Sequence, residues 1–319
     1  MYRILVITLL TGGALYFPKC LAQPLGVIPT QYNGSFAGGV NDPRINTDFE
    51  YHRQNPINHY SATTSYDQMI PAIRSGIALS ASYYSSNYKT STLSSKSDGY
   101  NIYFAVAPKF SLQEKGSLKG KFTISPSIDI RYYSSGSTLS WQPNENWPDS
   151  VSQTNVEGFS SRLGILMNTR NYYVGYSARL LNFNTQSKNI GEGYNSGFYS
   201  TLQAGYSYQK KPDSKFSITP EIAITLNTNP DFPGKFKDKT DFFIADYNLR
   251  FRYDKLLWGI ARGMRGVAEG TKVPSLQLGY QQDSWRVLTT HGFEDGYSGN
   301  LSFRNIFKKS DDPFRDPHF

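Results

Sequence analysis

A single cysteine, Cys20, occurs in 319 residues, and its isolation excludes a disulfide framework. Histidine is nearly as scarce: His52, His59, His291 and His318 are the four, and no metal-ligand spacing relates them. Charged residues make up 18% of the chain, below the roughly one quarter of an average domain. The formal charge of +8 is scattered and forms no basic run, which fits solvation and argues against nucleic acid as a partner. Past residue 22 no stretch approaches the roughly 18 consecutive apolar residues of a spanning helix, and helical periodicity is absent. No G-x-S-x-G elbow, phosphate loop or nucleotide fingerprint is present. The expectation is a protein that is not an enzyme, with no catalytic residues, no metal and no cofactor.

What the sequence does have is aromatic residues at 15%, almost all Tyr and Phe, in a chain whose mean hydropathy of -0.49 is polar. The polarity comes from Ser, Thr, Asn, Gln, Gly and Tyr. Such a composition suits strands with one wet and one apolar face. Residues 1–22 carry the marks of a secretory signal: Arg3, an apolar stretch from Ile4 to Phe17, and a cleavage context ending at Ala22. Lys19 beside Cys20 argues against lipidation there. Cleavage after Ala22 leaves a mature chain without cysteine.

From Arg44 on, the sequence parses into alternating segments of about 9–11 residues, the length of a tilted membrane strand. Fourteen are expected: 44–53, 59–67, 76–84, 100–110, 121–133, 157–168, 171–180, 197–209, 215–227, 241–253, 255–262, 273–281, 285–292 and 299–307. Odd-numbered connections are mostly long and polar, including 85–97 and 134–155; even-numbered ones are mostly tight. Outer-membrane barrels alternate short periplasmic turns with longer outside loops in this way. An even strand number puts both termini on one side. The expected organisation is a signal peptide (1–22), a periplasmic or plug segment (23–43), an all-β transmembrane antiparallel barrel (44–307) and a periplasmic tail (308–319).

One strand occurs twice. "KFTISPSIDIRYY" from Lys121 and "KFSITPEIAITLN" from Lys215 each carry a proline, Pro126 or Pro220, on the apolar face, and "GYN" recurs at the same offset of 94. A hairpin duplication explains both. The prolines are expected to act as bulge or tilt devices in a lipid-facing wall. Tyr83, Tyr84, Tyr100, Tyr132, Tyr133, Tyr172, Tyr173, Tyr208 and Tyr253 fall near strand ends, as in the girdles that sit at lipid–water boundaries. Alternation points Asp48, Glu50, His52, Asp67, Asp129, Arg131, Arg162, Arg179, Glu221, Asp246, Arg250, Arg252 and Arg304 into the lumen. Charges of both signs there are expected to pair across it; Asp129, Arg131, Arg179, Glu221, Asp246, Arg250 and Arg252 are the network candidates.

Three stretches together resemble the PorP/SprF family of outer-membrane proteins linked to the type IX secretion system of Bacteroidota. "QYNGSFAGGVNDPRINTDFEYHRQ" is similar to the family's opening, with Asn33, Gly34, Ser35, Ala37 and Gly38 in place of Asn-Pro-Ala-x-x-Gly and Arg53-Gln54 at the strand end. "YSATTSYDQMIPAIRSGIALSASYYSSN" resembles its second hairpin, and "ITPEIAITLN" with "DYNLRFRYDKLLWGIARG" its strand-proline pattern. "KKSDDPFRDPHF" continues past the usual end of the family. The resemblance implies a non-catalytic barrel, held in outer-membrane lipids, that helps export or surface attachment of a secreted partner such as an adhesin, engaged through its C-terminal domain. Some members associate with periplasmic secretion-ring components. By that analogy the loop 134–155, with Trp141 and Trp147, is the candidate partner site. A passive channel for small or hydrophobic solutes is the alternative.

Overall fold

The computed structural model describes residues 29–39, 42–54, 57–90, 93–112, 122–141, 150–169, 171–184, 198–209, 214–228, 242–265, 275–282, 284–292 and 297–307. Sixteen extended segments form one antiparallel sheet. Two of them, Phe110–Leu112 and Tyr208–Gln209, only continue the preceding strand beyond an interruption, which leaves fourteen strands. In chain order these are β1 Arg44–Gln54, β2 Ile57–Ile70, β3 Ser75–Lys89, β4 Leu93–Pro108, β5 Phe122–Trp141, β6 Ser150–Asn168 and β7 Tyr172–Asn184. The second half contains β8 Phe198–Tyr206, β9 Phe216–Thr228, β10 Phe242–Tyr253, β11 Leu256–Arg265, β12 Ser275–Gln281, β13 Trp285–Gly292 and β14 Tyr297–Ile306. Sequence neighbours pair throughout, and β14 returns to β1 over Arg44↔Ile306 to Arg53↔Tyr297. The sheet is therefore a closed barrel, which removes the exposed edges an open sheet would present. Phe307 N–H donates to Pro43 O at 3.0 Å, so the wall begins and ends at one rim.

Alternation along each strand is inside out relative to a water-soluble protein. On β5, Ile128 and Ile130 are 52% and 51% exposed, while Ser127 and Asp129, which alternate with them, are buried. Phe49, Leu79, Phe104, Ile165, Leu202 and Leu278 likewise point outward, and the buried residues are mostly Ser, Thr, Asn, Gln, Asp and Arg. Such a surface is stable only against hydrocarbon, and closure lets every ladder pair internally, as a membrane demands.

The two prolines do the same thing at equivalent places. Across β4 and β5 the ladder runs to Val106↔Ile128 and resumes at Phe110↔Ile124, skipping Pro126. Between β8 and β9 it runs to Gly205↔Glu221 and resumes at Tyr208↔Ile218, skipping Pro220. On the other side of each strand pairing continues through Pro126↔Ile165 and Pro220↔Leu249. A proline has no N–H to give, so the ladder on its donor side opens. The ladders on the far side of the interrupted strands stay in register: Lys109 N–H donates to Arg74 O at 2.8 Å and Ser207 N–H to Asn171 O at 2.6 Å.

Aromatic rings form two outward bands. Tyr51, Tyr60, Tyr83, Tyr100 and Phe159 lie in the band away from the terminal rim, where Tyr132 is 4.9 Å from Phe159. Phe110, Tyr172, Tyr206, Tyr208, Phe216 and Tyr253 mark the band near it. Three of the nine expected girdle tyrosines are not in it. Consecutive residues face opposite ways in a strand, so Tyr84, Tyr133 and Tyr173 turn inward beside an outward-facing neighbour. Tyr173 is buried against Phe36, its ring 5.3 Å away and edge-on.

The expected loops 85–97 and 134–155 are largely strand. β3 runs on to Lys89 and β4 starts at Leu93, while β5 and β6 have 20 and 19 residues against 7 and 8 in β12 and β13. Ser and Thr made these stretches read as loop, but a paired neighbour satisfies their backbone and the sheet continues. Trp141 lies nine positions past Tyr132, so this part of the wall stands about 30 Å along the strand above the aromatic band. The longest connections, 185–197 and 229–241, belong to the same rim, which is the exterior one.

Candidate functional site

The lumen is occupied by the chain's own N-terminal part. Pro29–Tyr32 forms one helical turn, α1, and Gly34–Phe36 a 3₁₀ turn capped by Asn33, whose Oδ1 accepts from Ser35 N–H at 3.0 Å. Thr30, Asn33, Ser35, Phe36 and Ala37 are all buried. The sector β3–β7 is cut to receive them. Gly164 and Gly175 leave a notch in which the Asn33 amide lies, donating from Nδ2 to Ile165 O at 3.3 Å and Tyr176 O at 3.2 Å. A Cβ at Gly164 would overlap Asn33 Oδ1, and one at Gly76 would overlap the Ala37 carbonyl. Ala78, Ala105 and Ala107 complete the seat of Ala37. Ser35 Oγ donates to Ser127 Oγ at 2.8 Å, and Lys109 Nζ to Ser35 O at 2.8 Å.

Above this notch two arginines hold backbone carbonyls. Arg162 donates through Nε to Asp129 Oδ2 at 2.9 Å, through Nη1 to Gln31 O at 2.8 Å and through Nη2 to Thr30 O at 3.5 Å. Arg131 Nη2 reaches the same Gln31 O at 3.5 Å. Both guanidinium groups lie 5.7 Å from the Tyr103 ring, which fixes the pair by cation–π attraction. Asp129 also takes the Gly34 backbone N–H, so one carboxylate joins wall to plug. At the terminal rim Arg44 grips Asp67 with two bonds, Nε to Oδ2 at 2.7 Å and Nη2 to Oδ1 at 2.8 Å, and Asp67 Oδ1 accepts from Gly38 N–H at 3.2 Å. That clamp ties the start of β1, the end of β2 and the foot of the plug.

Members of the expected charge network gather at two places in the wall. Asp129, Arg131 and Arg162 belong to the plug seat, with Arg179 opposite Arg162 in the ladder at a register shift. Four strands further round the wall, on β9 and β10, Glu221 pairs with Arg250 at 3.0 Å and accepts from Asn248 Nδ2 at 2.9 Å. Asp246 and Arg252 share β10 with Arg250, on either side of it. Beyond these, Asn300 Nδ2 donates to both Asp48 oxygens at 2.9 Å and Arg304 Nε to Asn46 Oδ1 at 2.6 Å. Sequence reasoning missed Asn33, Ser35, Tyr103 and Arg44 as partners. The available signal was glycine at the lumen-facing positions 76, 164 and 175, since small residues in a wall mark where another backbone comes close.

Trp141 ends β5, opposite Leu93 on one side and Ser150 on the other. Trp147, the recurrence at Gly193 to Asn195, the signal segment and the tail 308–319 lie outside the described residues. Among the described residues no group of His, Cys, Asp and Glu has the arrangement of a metal site.

No family model and no curated protein sequence matches the chain. Solved structures do. The CymD monoaromatic hydrocarbon channel aligns at TM-score 0.51 and 12% identity, over 89% of this chain and 94% of its own. The toluene transporter TodX of P. putida aligns at TM-score 0.46 and 10% identity, over 86% and 92%. The translocator domain of the autotransporter NalP from Neisseria meningitidis aligns at 0.44 and 12%, over 84% and 89%. The chain is an outer-membrane β-barrel. Lipid-facing alternation, closure and two aromatic bands give the physical reason, and at these identities the likeness extends to the fold alone.

Proposed function

We propose that this barrel serves as the membrane partner in type IX secretion, helping to export a secreted surface protein or hold it at the cell surface. The observation that carries the reading is the lumen segment seated against the inner face of β2–β7. Residues 29–39 are seated by hydrogen bonds to β2, β3, β5, β6 and β7, and buried ion pairs brace the wall at β5–β6 and β9–β10, which leaves the barrel better suited to holding a partner than to conducting one. The tall wall of β3–β6 adds an exterior platform above the aromatic band, rich in Ser and Thr, with Trp141 at the end of β5. The resemblance of Asn33 to Gly38 and of the strand-proline pattern to the PorP/SprF family supports the type IX assignment, with an adhesin C-terminal domain as the expected ligand. CymD, of the same fold, conducts monoaromatic hydrocarbons, and a passive channel for small or hydrophobic solutes is the competing reading.

Purification of the tagged protein from its own cells in mild detergent, followed by mass spectrometry, tests the proposal. Recovery of a large surface protein through its C-terminal domain, or of periplasmic ring components, supports it. A barrel that comes down alone and conducts in planar bilayers overturns it in favour of the channel.

A further inference from the structure

We infer that the seat on β2–β7 is a peptide-binding site. The plug occupies it in cis, and a neutral, turn-forming segment of another polypeptide, with small residues around one amide and one aromatic side chain, fits it in trans. The inference stands on the geometry of the seat and does not need the secretion reading, which the pull-down tests separately.

The seat reads mainly backbone. Its cations meet carbonyls: Arg162 donates to Gln31 O at 2.8 Å and Thr30 O at 3.5 Å, Arg131 to Gln31 O at 3.5 Å, and Lys109 to Ser35 O at 2.8 Å. Its carboxylates meet amides: Asp129 accepts from Gly34 N–H, and Asp67 Oδ1 from Gly38 N–H at 3.2 Å. Charge-assisted bonds of this kind are about twice as strong as neutral ones, and any polypeptide offers the groups they need. Side chains are selected at fewer points. The Asn33 amide donates to the carbonyls of Ile165 and Tyr176, and Phe36 lies edge-on to Tyr173 beside Leu166. Gly38 has φ 59°, and a Cβ there would stand 2.5 Å from Gly76 Cα, so glycine alone fits. Residues 29–39 carry no charged side chain, and the seat's carboxylates are already paired with arginines of the wall.

Contacts within the wall hold the seat in shape. Arg162 is held by Asp129 at 2.9 Å and Arg44 by Asp67 at 2.7 Å, while the Tyr103 ring lies 5.7 Å from the guanidinium groups of both Arg131 and Arg162. Among the described residues no ladder pairing involves 29–39, so the plug can leave without breaking a strand pair. The fold of the plug is equally local. Phe36 N–H donates to Asn33 O at 3.2 Å, Ala37 N–H to Gly34 O at 2.9 Å, Gly39 N–H to Phe36 O at 3.0 Å and Ser35 N–H to Asn33 Oδ1 at 3.0 Å. A short peptide makes the same bonds on its own before it docks. Because the plug joins β1 within a few residues, its effective concentration is on the order of millimolar, and it excludes a more dilute peptide until it is unseated.

Peptide binding to opened seats tests this. A fluorescein-labelled peptide of residues 29–39 is titrated into the barrel in detergent micelles and read by fluorescence anisotropy, with heat-modifiable migration selecting folded protein. Two opened seats are compared with the parent: Asn33→Ala, Gly38→Val, which alters the plug and leaves every wall residue in place, and deletion of residues 29–37. The inference expects saturable binding to the opened seats, at least about tenfold tighter than to the parent. A peptide with the same two substitutions lacks the Asn33 bonds and the glycine fit, and should bind at least about tenfold more weakly than the unaltered one. Arg162→Ala added to the plug variant should weaken the unaltered peptide to a similar degree. Failure of the peptide to bind either folded variant overturns the inference. Equal binding to parent and opened seats, or of altered and unaltered peptides, overturns it too, since the peptide would then be held elsewhere.

Discussion

Removing the Arg162 side chain should release the plug while leaving the barrel closed. Asp129 is 3% exposed and its Oδ2 takes the Arg162 Nε at 2.9 Å, so Arg162→Ala leaves a buried carboxylate without its principal counter-charge. Deleting one partner of a buried pair costs about 3–5 kcal/mol. The bonds to Gln31 O and Thr30 O and the contact with Tyr103 disappear in the same substitution, and all of them bear on plug seating. The β5–β6 ladder, Thr123↔Asn168 to Trp141↔Ser150, is made by backbone and does not need the guanidinium. The cost should therefore fall on the plugged state. Ser35→Cys is a reporter, because Ser35 is buried at the centre of the seat. If labelling requires the plug to lift, about 3–5 kcal/mol raises the rate by roughly two to three and a half orders of magnitude. In Asp129→Ala, Arg162→Ala the buried carboxylate is gone, and the double variant should label at least about tenfold more slowly than Arg162→Ala alone. Labelling of Arg162→Ala at the parental rate, with the barrel folded, would refute the argument that this ion pair holds the plug.

Gly164→Val should lift Asn33 from its notch, since a Cβ there overlaps Asn33 Oδ1, and Ser35→Cys labelling should rise as in Arg162→Ala while heat-modifiable migration persists. Ile128→Lys places a charge on the half-exposed outer face of β5 between the two aromatic bands; it should cost about 2–4 kcal/mol in vesicle unfolding titrations. A change within about 0.5 kcal/mol, usual for an exposed position in water, would count against the lipid-facing assignment. Arg250→Ala breaks the buried pair and leaves the Glu221 charge without this guanidinium, and should lower the midpoint of the heat-modifiability transition by more than Glu221→Gln, which removes the charge itself. Deleting residues 29–37 should raise single-channel conductance clearly above that of the intact protein, and equal conductance would mean the plug is not the barrier.

Period-two alternation was enough to determine the strands, their number, and which face meets lipid, because a membrane wall fixes those by solvent alone. It also marked Asp129, Glu221 and Arg250 as inward. Alternation misled only where a second fact mattered. Tyr84, Tyr133 and Tyr173 could not join the girdle beside Tyr83, Tyr132 and Tyr172, since adjacent side chains oppose. The described parts of the Ser-rich stretches 85–97 and 134–155 are mostly sheet because pairing, unlike composition, depends on what stands alongside. The partners themselves were decided by tertiary structure: Arg162 with Asp129, Arg44 with Asp67, Asn33 with the carbonyls of Ile165 and Tyr176. Each joins residues far apart in the chain, at positions set by barrel register and by the path of the plug. The sequence by itself determined a barrel with a polar interior. Only the closed fold decided that the chain's own N-terminal segment is seated inside, because a hole left by Gly164 and Gly175 has meaning only once Asn33 is beside it.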